Sequence, residues 1–339
     1  MTGNKYATLI DEQTHAFIKR SDAAFPENAE SLPIVEQRRL YDAMCKQFRA
    51  DCLSDVKSHD GYVTGVHGHQ IPVRQYQKMD GNSTRSSSLP VRLVYLHGGG
   101  FVVGSLNSHD DVCAEICSRT GLELTSVDYR LAPEYKHPAA LDDTLRVIEH
   151  LWQLHGQAIV LCGDSAGANL AAASCHVYRE QLKSSAISEE PASADTTTPD
   201  IAGQVLIYPG LGGDTNQGSY ITHSHAPMLT TAAVHYYTAI RLGNNSNISD
   251  PSLAPLLDED FSALPPTVAI SAQCDPLCDD GRVYCERIIR AGGLAHCIEE
   301  DGLVHGYLRA RHSVQRASDS FNRIVSAVAT LAERQWPYG

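Results

Sequence analysis

The sequence predicts an α/β fold, a mostly parallel central sheet with helices on both of its faces. Three observations carry this expectation. Apolar strand-like runs at 91–96, 122–128, 157–162, 203–208, 267–272 and 296–300 are mostly separated by helical stretches at about 108–119, 138–155, 166–182, 278–291 and 315–335. The run Val94–Leu96 passes directly into His97-Gly98-Gly99-Gly100, and Ala158–Cys162 into Gly163-Asp164-Ser165-Ala166-Gly167, so glycines cluster where strands give way to helices. Finally, a chain of 339 residues, 42% hydrophobic and 20% charged, has the length and composition of one large α/β unit.

The elements ahead of this alternation differ in kind. Residues 1 to about 50 read as two helical pieces, with Ile10, Phe17 and Ile18, then Leu40, Met44 and Phe48, at helical spacing and Pro26 and Pro33 between them. Residues 61–77 read as an antiparallel hairpin turning at His67-Gly68-His69, where the two histidines are turn residues rather than a ligand pair. Residues 79–90 and 183–200 are polar and read as surface loops. The longest break in the alternation is 210–260, which holds a helix-like piece around Ala232–Arg241. The expected organisation is therefore 1–50 as the N-terminal part of a cap, 210–260 as a cap insertion, and 51–209 with 261–339 as the sheet domain. Ligand sites in such sheets lie at the carboxyl ends of the strands, so a cap placed there forms a pocket wall. Tyr220, Met228, Leu229, Tyr236 and Tyr237 are candidates for that wall, and each is equally suited to the cap's own core.

Composition narrows the partners. A net charge of −13 argues against nucleic acid or an anionic membrane surface. The ten cysteines are scattered through apolar contexts and read as reduced, buried thiols. Cys113 with Cys117, and Cys274 with Cys278, have no second pair at zinc-site spacing, so no metal is expected. The N-terminus lacks an apolar signal region, and no run approaches the ~18 apolar residues of a membrane span. A cytoplasmic protein is expected, in which the sequons beginning at Asn82, Asn244 and Asn247 carry no weight.

Gly163-Asp164-Ser165-Ala166-Gly167 is G-x-S-x-G in the strand–turn–helix context its chemistry requires: a sharp elbow presents the serine, and the glycines avoid clashes with the neighbouring strand and helix. At this composition the bare pattern is expected by chance about 0.1 times, and HGGG about 0.006 times. An acyl-transfer serine needs backbone donors for a developing oxyanion. The N–H of Ala166, next to the nucleophile, is one; the glycine loop 98–100 exposes others. A phosphate-binding loop is the rival reading of those glycines, but the Lys-Ser/Thr of a P-loop and the G-x-G-x-x-G spacing are both missing.

The serine also needs a base and an orienting acid, in the order Ser, Asp/Glu, His. Of the histidines after Ser165, His176, His223, His225, His235, His296 and His312 fall in helices, in the cap region, in a strand or near the last helix, whereas His305 lies in a glycine-flanked loop after the last strand. Asp275 stands in the loop after the strand 267–272, while its rivals Asp279 and Asp280 fall in the first turn of the next helix, where acids favour the dipole anyway.

HGGGF, the run Asp128–Glu134 (DYRLAPE), GDSAG, DPL and the terminal HGY together resemble the hormone-sensitive-lipase family of carboxylesterases, from about residue 90 to the C-terminus. The resemblance implies an α/β-hydrolase fold with a small helical cap. It also implies Ser165 as nucleophile, His305 as base, Asp275 as its partner, and Gly99, Gly100 and Ala166 as oxyanion donors, with His97 and Gly98 shaping the loop. Asp128 and Arg130 would hold the loop near the elbow. Gly163–Leu170 (GDSAGANL) and Asp279-Asp280 look similar to bacterial acetyl esterases. The implied activity is cofactor-free hydrolysis of short-chain esters of small molecules, with a homodimer through the last strand and helix by family analogy. Two alternatives stand beside it: an amidase or thioesterase on the same triad, and a non-catalytic small-ligand receptor.

Overall fold

The computed structural model describes residues 5–51, 53–79, 91–187, 198–243 and 250–339. The three sequons and most of the polar loops 79–90 and 183–200 lie outside the described residues.

Eight strands form one sheet: β1 (Val56–Thr64), β2 (Gln70–Lys78), β3 (Val91–Leu96), β4 (Leu124–Val127), β5 (Ala158–Asp164), β6 (Ile201–Ile207), β7 (Thr267–Cys274) and β8 (Ala295–Val304). Their order is β1-β2-β4-β3-β5-β6-β7-β8; β1 and β2 are antiparallel additions at one edge, and every pairing from β4 to β8 is parallel. The central strands β4 and β5 are buried at every residue, as a sheet covered on both faces requires. The hairpin begins five residues earlier than the sequence suggests. β1 is an edge strand and Val56–Asp60 is mostly exposed, so no apolar alternation marks its start, and cross-strand pairing with β2 from Val56↔Lys78 onward defines it instead.

Ten α-helices are described: α1 (Tyr6–Leu9), α2 (Glu12–Ala24), α3 (Ile34–Phe48), α4 (Asp110–Thr120), α5 (Ala139–His155), α6 (Ala166–Ile187), α7 (Ser219–Thr222), α8 (Thr231–Leu242), α9 (Cys278–Arg290) and α10 (Gln315–Ala332). Helices α4 and α10 cover one face of the sheet, and α5, α6 and α9 the other. In α10 the residues Phe321, Ile324, Val325, Val328 and Leu331 recur at helical spacing and are all buried. Each such side chain contributes on the order of 1.5–3 kcal/mol by leaving water. Helix α6 owes its close seat on the sheet to small residues, Ala168 and Ala171–Ala173, none of which retains exposed surface.

The remaining helices lie where the strands end. On α3, Arg38 pairs with Glu134 at 2.7 Å and donates to the carbonyls of Val102 (2.8 Å) and Ala132 (3.0 Å), in the loops after β3 and β4. The Tyr236 hydroxyl of α8 accepts from Gln37 of α3 at 2.8 Å and donates to the Glu30 carbonyl at 2.8 Å, so the N-terminal helices and the 210–260 insertion are joined. Asp11 caps α2 and Thr230 caps α8, each accepting from the backbone N–H three residues on.

Gly163 and Gly167 both face the end of β3. A Cβ on Gly163 would lie 2.8 Å from the Leu96 carbonyl oxygen, and one on Gly167 would collide with that same oxygen. Gly167→Ala is therefore expected to lower the melting temperature by more than about 10 °C or to abolish soluble expression. Gly61→Ala, at a site with nothing within 4 Å of the new methyl, should shift it by no more than about 3 °C. Thermal unfolding monitored by circular dichroism reads both.

Candidate active site

Ser165 lies between the last residue of β5 and the first of α6, at φ +54°, a left-handed conformation that costs a non-glycine residue about 1–2 kcal/mol. The strain is held by its surroundings: the Ser165 N–H donates to the Ile207 carbonyl at the end of β6 (2.8 Å), and its own carbonyl starts α6 by accepting from Asn169. The elbow turns Oγ toward His305, whose Nε2 is 2.8 Å away. His305 Nδ1 is 2.6 Å from Asp275 Oδ2, and Asp275 Oδ1 accepts from the Leu277 N–H at 2.9 Å. In this order Nδ1–H donates to the Asp275 carboxylate, leaving the Nε2 lone pair to accept the serine proton. Each of the three residues directly follows, or nearly follows, the carboxyl end of a parallel strand: β5, β7 and β8. The Tyr208 ring, 4.8 Å from that of His305, backs the imidazole.

The glycine loop after β3 is organised by its polar partners. Gly99 and Gly100 take φ +128° and +60°, which a side chain would resist. The Gly98 N–H is already committed, donating to Asp164 Oδ1 at 2.9 Å. Among the described residues nothing accepts from the N–H groups of Gly99, Gly100 or Ala166, the last being one of the free donors at a helix start. His97 is fully buried, its Nδ1 2.8 Å from the Gly98 carbonyl it donates to, and its ring stacks on Tyr129 at 4.3 Å. Burial pushes the His97 imidazole down to about 4, so it stays neutral at ordinary pH.

Asp164 is the residue that sequence reasoning passed over, because in G-x-S-x-G it occupies the unspecified position. It is buried, and its carboxylate accepts from the Tyr95 hydroxyl (2.9 Å), the Gly98 N–H (2.9 Å) and the Tyr208 hydroxyl (3.2 Å), with His109 Nε2 at 3.3 Å. Burial opposes its ionisation, but His109 and these hydrogen bonds outweigh it and hold the carboxyl below its usual range.

A cavity of about 130 Å³ opens onto Ser165 and His305. Of the five expected wall residues Met228, Leu229 and Tyr237 line it, and the N-terminal helices add Ser21, Phe25, Tyr41 and Met44. Tyr220 and Tyr236 do not line it. Tyr220 donates to Asp280 Oδ2 at 3.1 Å, and Tyr236 joins α8 to α3 as above. Asp280 also accepts from the N–H groups of Leu211 (2.7 Å) and Gly213 (3.4 Å), fastening the start of the insertion, and burial pushes its carboxyl up to about 7. Asp279 holds the Ser219 N–H at 2.8 Å. The two rival acids thus anchor the first residues of the 210–260 insertion.

The expectation for Asp128 and Arg130 holds in part: the Asp128 carboxylate meets the Leu106 backbone in the loop after β3, whereas Arg130 turns to α5. The residue that holds the glycine loop is Tyr129, whose hydroxyl donates to the His97 carbonyl at 2.6 Å. Arg130 pairs instead with Asp143 of α5 at 2.9 Å, an acid that also meets His69 Nε2 at 2.7 Å, while the Asp128 carboxylate stands 4.0 Å from His97 Nε2. Among the described residues no cluster of three metal-ligating side chains occurs, and Cys113, Cys117, Cys274 and Cys278 are buried free thiols.

The folded-state depression of His97 and Asp164 fixes a direction with pH. His97 binds a proton more readily when unfolded, so its contribution to stability is full above 6.5 and is lost as pH falls through about 4. Asp164, also depressed, adds an acid-side loss of the same sign. The raised carboxyls of Asp280 and Asp128 act in the opposite sense over this range, so the expected outcome is a difference: between pH 6.5 and 4, His97→Gln should lose less melting temperature than the native protein, from a lower plateau.

A family model for the alpha/beta hydrolase fold matches residues 93–309. An ethyl acetate hydrolase of Pseudomonas putida is 28% identical over 82% of this chain and 82% of its own length. The carboxylesterase NlhH of Mycobacterium tuberculosis is 32% identical over 76% and 77%, and the esterase LipI of the same organism 34% identical over 70% and 72%. Among solved structures, the hyperthermophilic esterase from the archaeon Pyrobaculum calidifontis superposes with a TM-score of 0.80 at 25% identity, covering 95% of this chain and 99% of its own. The ester hydrolase EH1AB1 from the Lake Arreo metagenome, solved with a phosphonate derivative, gives 0.81 at 27% identity, over 96% and 98%. With the elbow, the relay and the glycine loop all in their places on this sheet, the chain belongs to the hormone-sensitive-lipase family of carboxylesterases and has the α/β-hydrolase fold.

Proposed function

We propose that this protein is a serine carboxylesterase that hydrolyses short-chain acyl esters through an acyl-enzyme. The observation that carries the reading is the unbroken relay from Ser165 Oγ through His305 to Asp275, at 2.8 and 2.6 Å, beside backbone N–H groups that have no acceptor of their own among the described residues. Ser165 Oγ attacks the ester carbonyl carbon as its proton passes to His305 Nε2. The new tetrahedral oxyanion accepts from Gly99, Gly100 and Ala166, donors worth on the order of 3–4 kcal/mol apiece when removed. Collapse breaks the bond to the alcohol oxygen, which leaves with the proton from His305. Water then repeats the sequence on the acyl-enzyme, and the acid is released. Asp275 keeps the imidazole in the tautomer that can accept the serine proton and stabilises the imidazolium.

The cavity of about 130 Å³ supports a short acyl group rather than a long one. The names of the relatives, an ethyl acetate hydrolase and several esterases, favour esters over amides and thioesters. A receptor would not need a relay ordered for proton transfer. We read residues 1–50 and 210–260 as the cap and 51–209 with 261–339 as the catalytic domain. We further assign a cytoplasmic location, in keeping with the buried free thiols, and among the described residues no helix is long and apolar enough to cross a membrane. The strand β8 at the open sheet edge suits a homodimer contact.

Initial rates across p-nitrophenyl esters from acetate to palmitate test the reading. Activity should peak at acetate or butyrate, Ser165→Ala should lower kcat by on the order of 10⁵-fold or more, and Asp275→Asn by on the order of 10⁴-fold. Equal rates for Ser165→Ala and the native protein would refute it.

A further inference from the structure

Arg309 follows the catalytic histidine by one helical turn, in the 3₁₀ segment Tyr307–Ala310, and lines the same cavity as Ser165 and His305. Its guanidinium lies beside Gly306, where a Cβ would approach Nη2 to 2.6 Å. Of its five N–H donors, only Nη1 meets a side-chain acceptor among the described residues, the Tyr41 hydroxyl at 3.2 Å. Its Nε is buried with no partner. No carboxylate among the described residues stands within ion-pair distance of it.

Among the described residues Arg20, Arg146, Arg241 and Arg287 also lack an ion pair, but each donates to a backbone carbonyl, whereas Arg309 has only the Tyr41 hydroxyl and, at 5.5 Å, its ring. Arg311, two residues on, pairs with Asp111 at 2.5 Å and Glu115 at 2.7 Å, Arg130 with Asp143, and Arg179 with Asp258 at 2.7 Å. Arg241, also without an ion pair, is stacked on Phe101 at 3.5 Å, donates to the Leu253 carbonyl, and does not line the cavity. Two acids share the cavity with Arg309. Asp164 is saturated by its own donors, and Asp22 is exposed to solvent. The Arg309 guanidinium is half-buried, its Nε without a partner among the described residues and the rest of its fork facing the cavity, and a planar carboxylate matches such a fork with two parallel hydrogen bonds.

We propose that Arg309 binds a carboxylate on the substrate, so that the enzyme favours esters that carry an acid group a few bonds from the scissile carbonyl, such as hemiesters of short dicarboxylic acids. The proposal rests on the ester-hydrolase reading and names its substrate class. The cavity of about 130 Å³ confines the acid-bearing arm to a few carbons.

The test uses the full chain and titrates released acid. One pair of substrates places the carboxylate on the acyl side, monoethyl succinate against ethyl valerate. A second pair places it on the alcohol side, acetoxyacetate against propyl acetate. The ratio of kcat/KM for the charged to the neutral ester is expected to fall about 10- to 100-fold in Arg309→Met in one of the pairs, and less in Arg309→Lys. The responding pair identifies the side that Arg309 reads. A ratio that stays the same in both pairs, whatever the absolute rates, overturns the proposal and leaves Arg309 a structural cation. Calorimetric titration with succinate in Ser165→Ala needs no turnover: binding is expected there, and its persistence in the Arg309→Met double variant would contradict the assignment. Failure of the native enzyme on all four esters would instead refute the hydrolase reading itself.

Discussion

Everything at the catalytic end of this sheet depends on one buried carboxylate. Asp164 ends β5 immediately before the nucleophile, and its two oxygens gather Tyr95 from β3, the Gly98 N–H from the glycine loop, Tyr208 from the end of β6 and His109 from the start of α4. A carboxylate taken from water without partners costs several kcal/mol, and here four donors offset that cost. The elbow and the oxyanion loop are thereby fixed to one another through a single side chain. Because the Gly98 N–H is held by Asp164, the N–H groups of the next two glycines are the ones in the loop with no acceptor among the described residues.

Backbone conformation and close packing do the rest. Ser165 is held at φ +54° because its N–H is bound to β6 and because Gly163 and Gly167 let β5 and α6 close against the end of β3. His305 and Asp275 then need no strain of their own, since they follow the adjacent parallel strands β8 and β7, three and two positions beyond β5. The neutral, stacked His97 seals the underside of the loop, and Tyr129 ties its carbonyl. Helices α3 and α8 close the other side, α3 through the Arg38 pair with Glu134 and α8 through Tyr237, whose ring packs where a side chain on Gly100 would stand.

Much of this was legible from the sequence, and the reasons differ by feature. Apolar runs such as Val91–Leu96 and Ala158–Cys162 announce buried parallel strands because both faces are covered. That Ser165, Asp275 and His305 would meet was legible because a serine, its base and its acid are expected in loops at strand ends in a set order, and the structure brings the three into one hydrogen-bonded row. Asp164 was not, because nothing local distinguishes a motif's variable acid from a surface one; its partners come from four separate elements. The same limit applies to α8, where Tyr236 and Tyr237 are adjacent, yet one reaches the cavity and the other bonds to α3. Which way each points is decided by the N-terminal helices packed against α8, and no period within residues 231–242 contains that information. Arg309 was hidden likewise, since a cation's lack of a partner is visible only in three dimensions.

The central claim is that Ser165 is the atom acylated during turnover. An activated alkylphosphonate with a p-nitrophenyl leaving group mimics the tetrahedral oxyanion and traps the nucleophile. Mass spectrometry of the inhibited protein is expected to show one adduct per chain, on the peptide containing Ser165, and none in His305→Asn under the same conditions. Full inhibition with the adduct on another residue, or turnover persisting after Ser165 is labelled, would contradict the account.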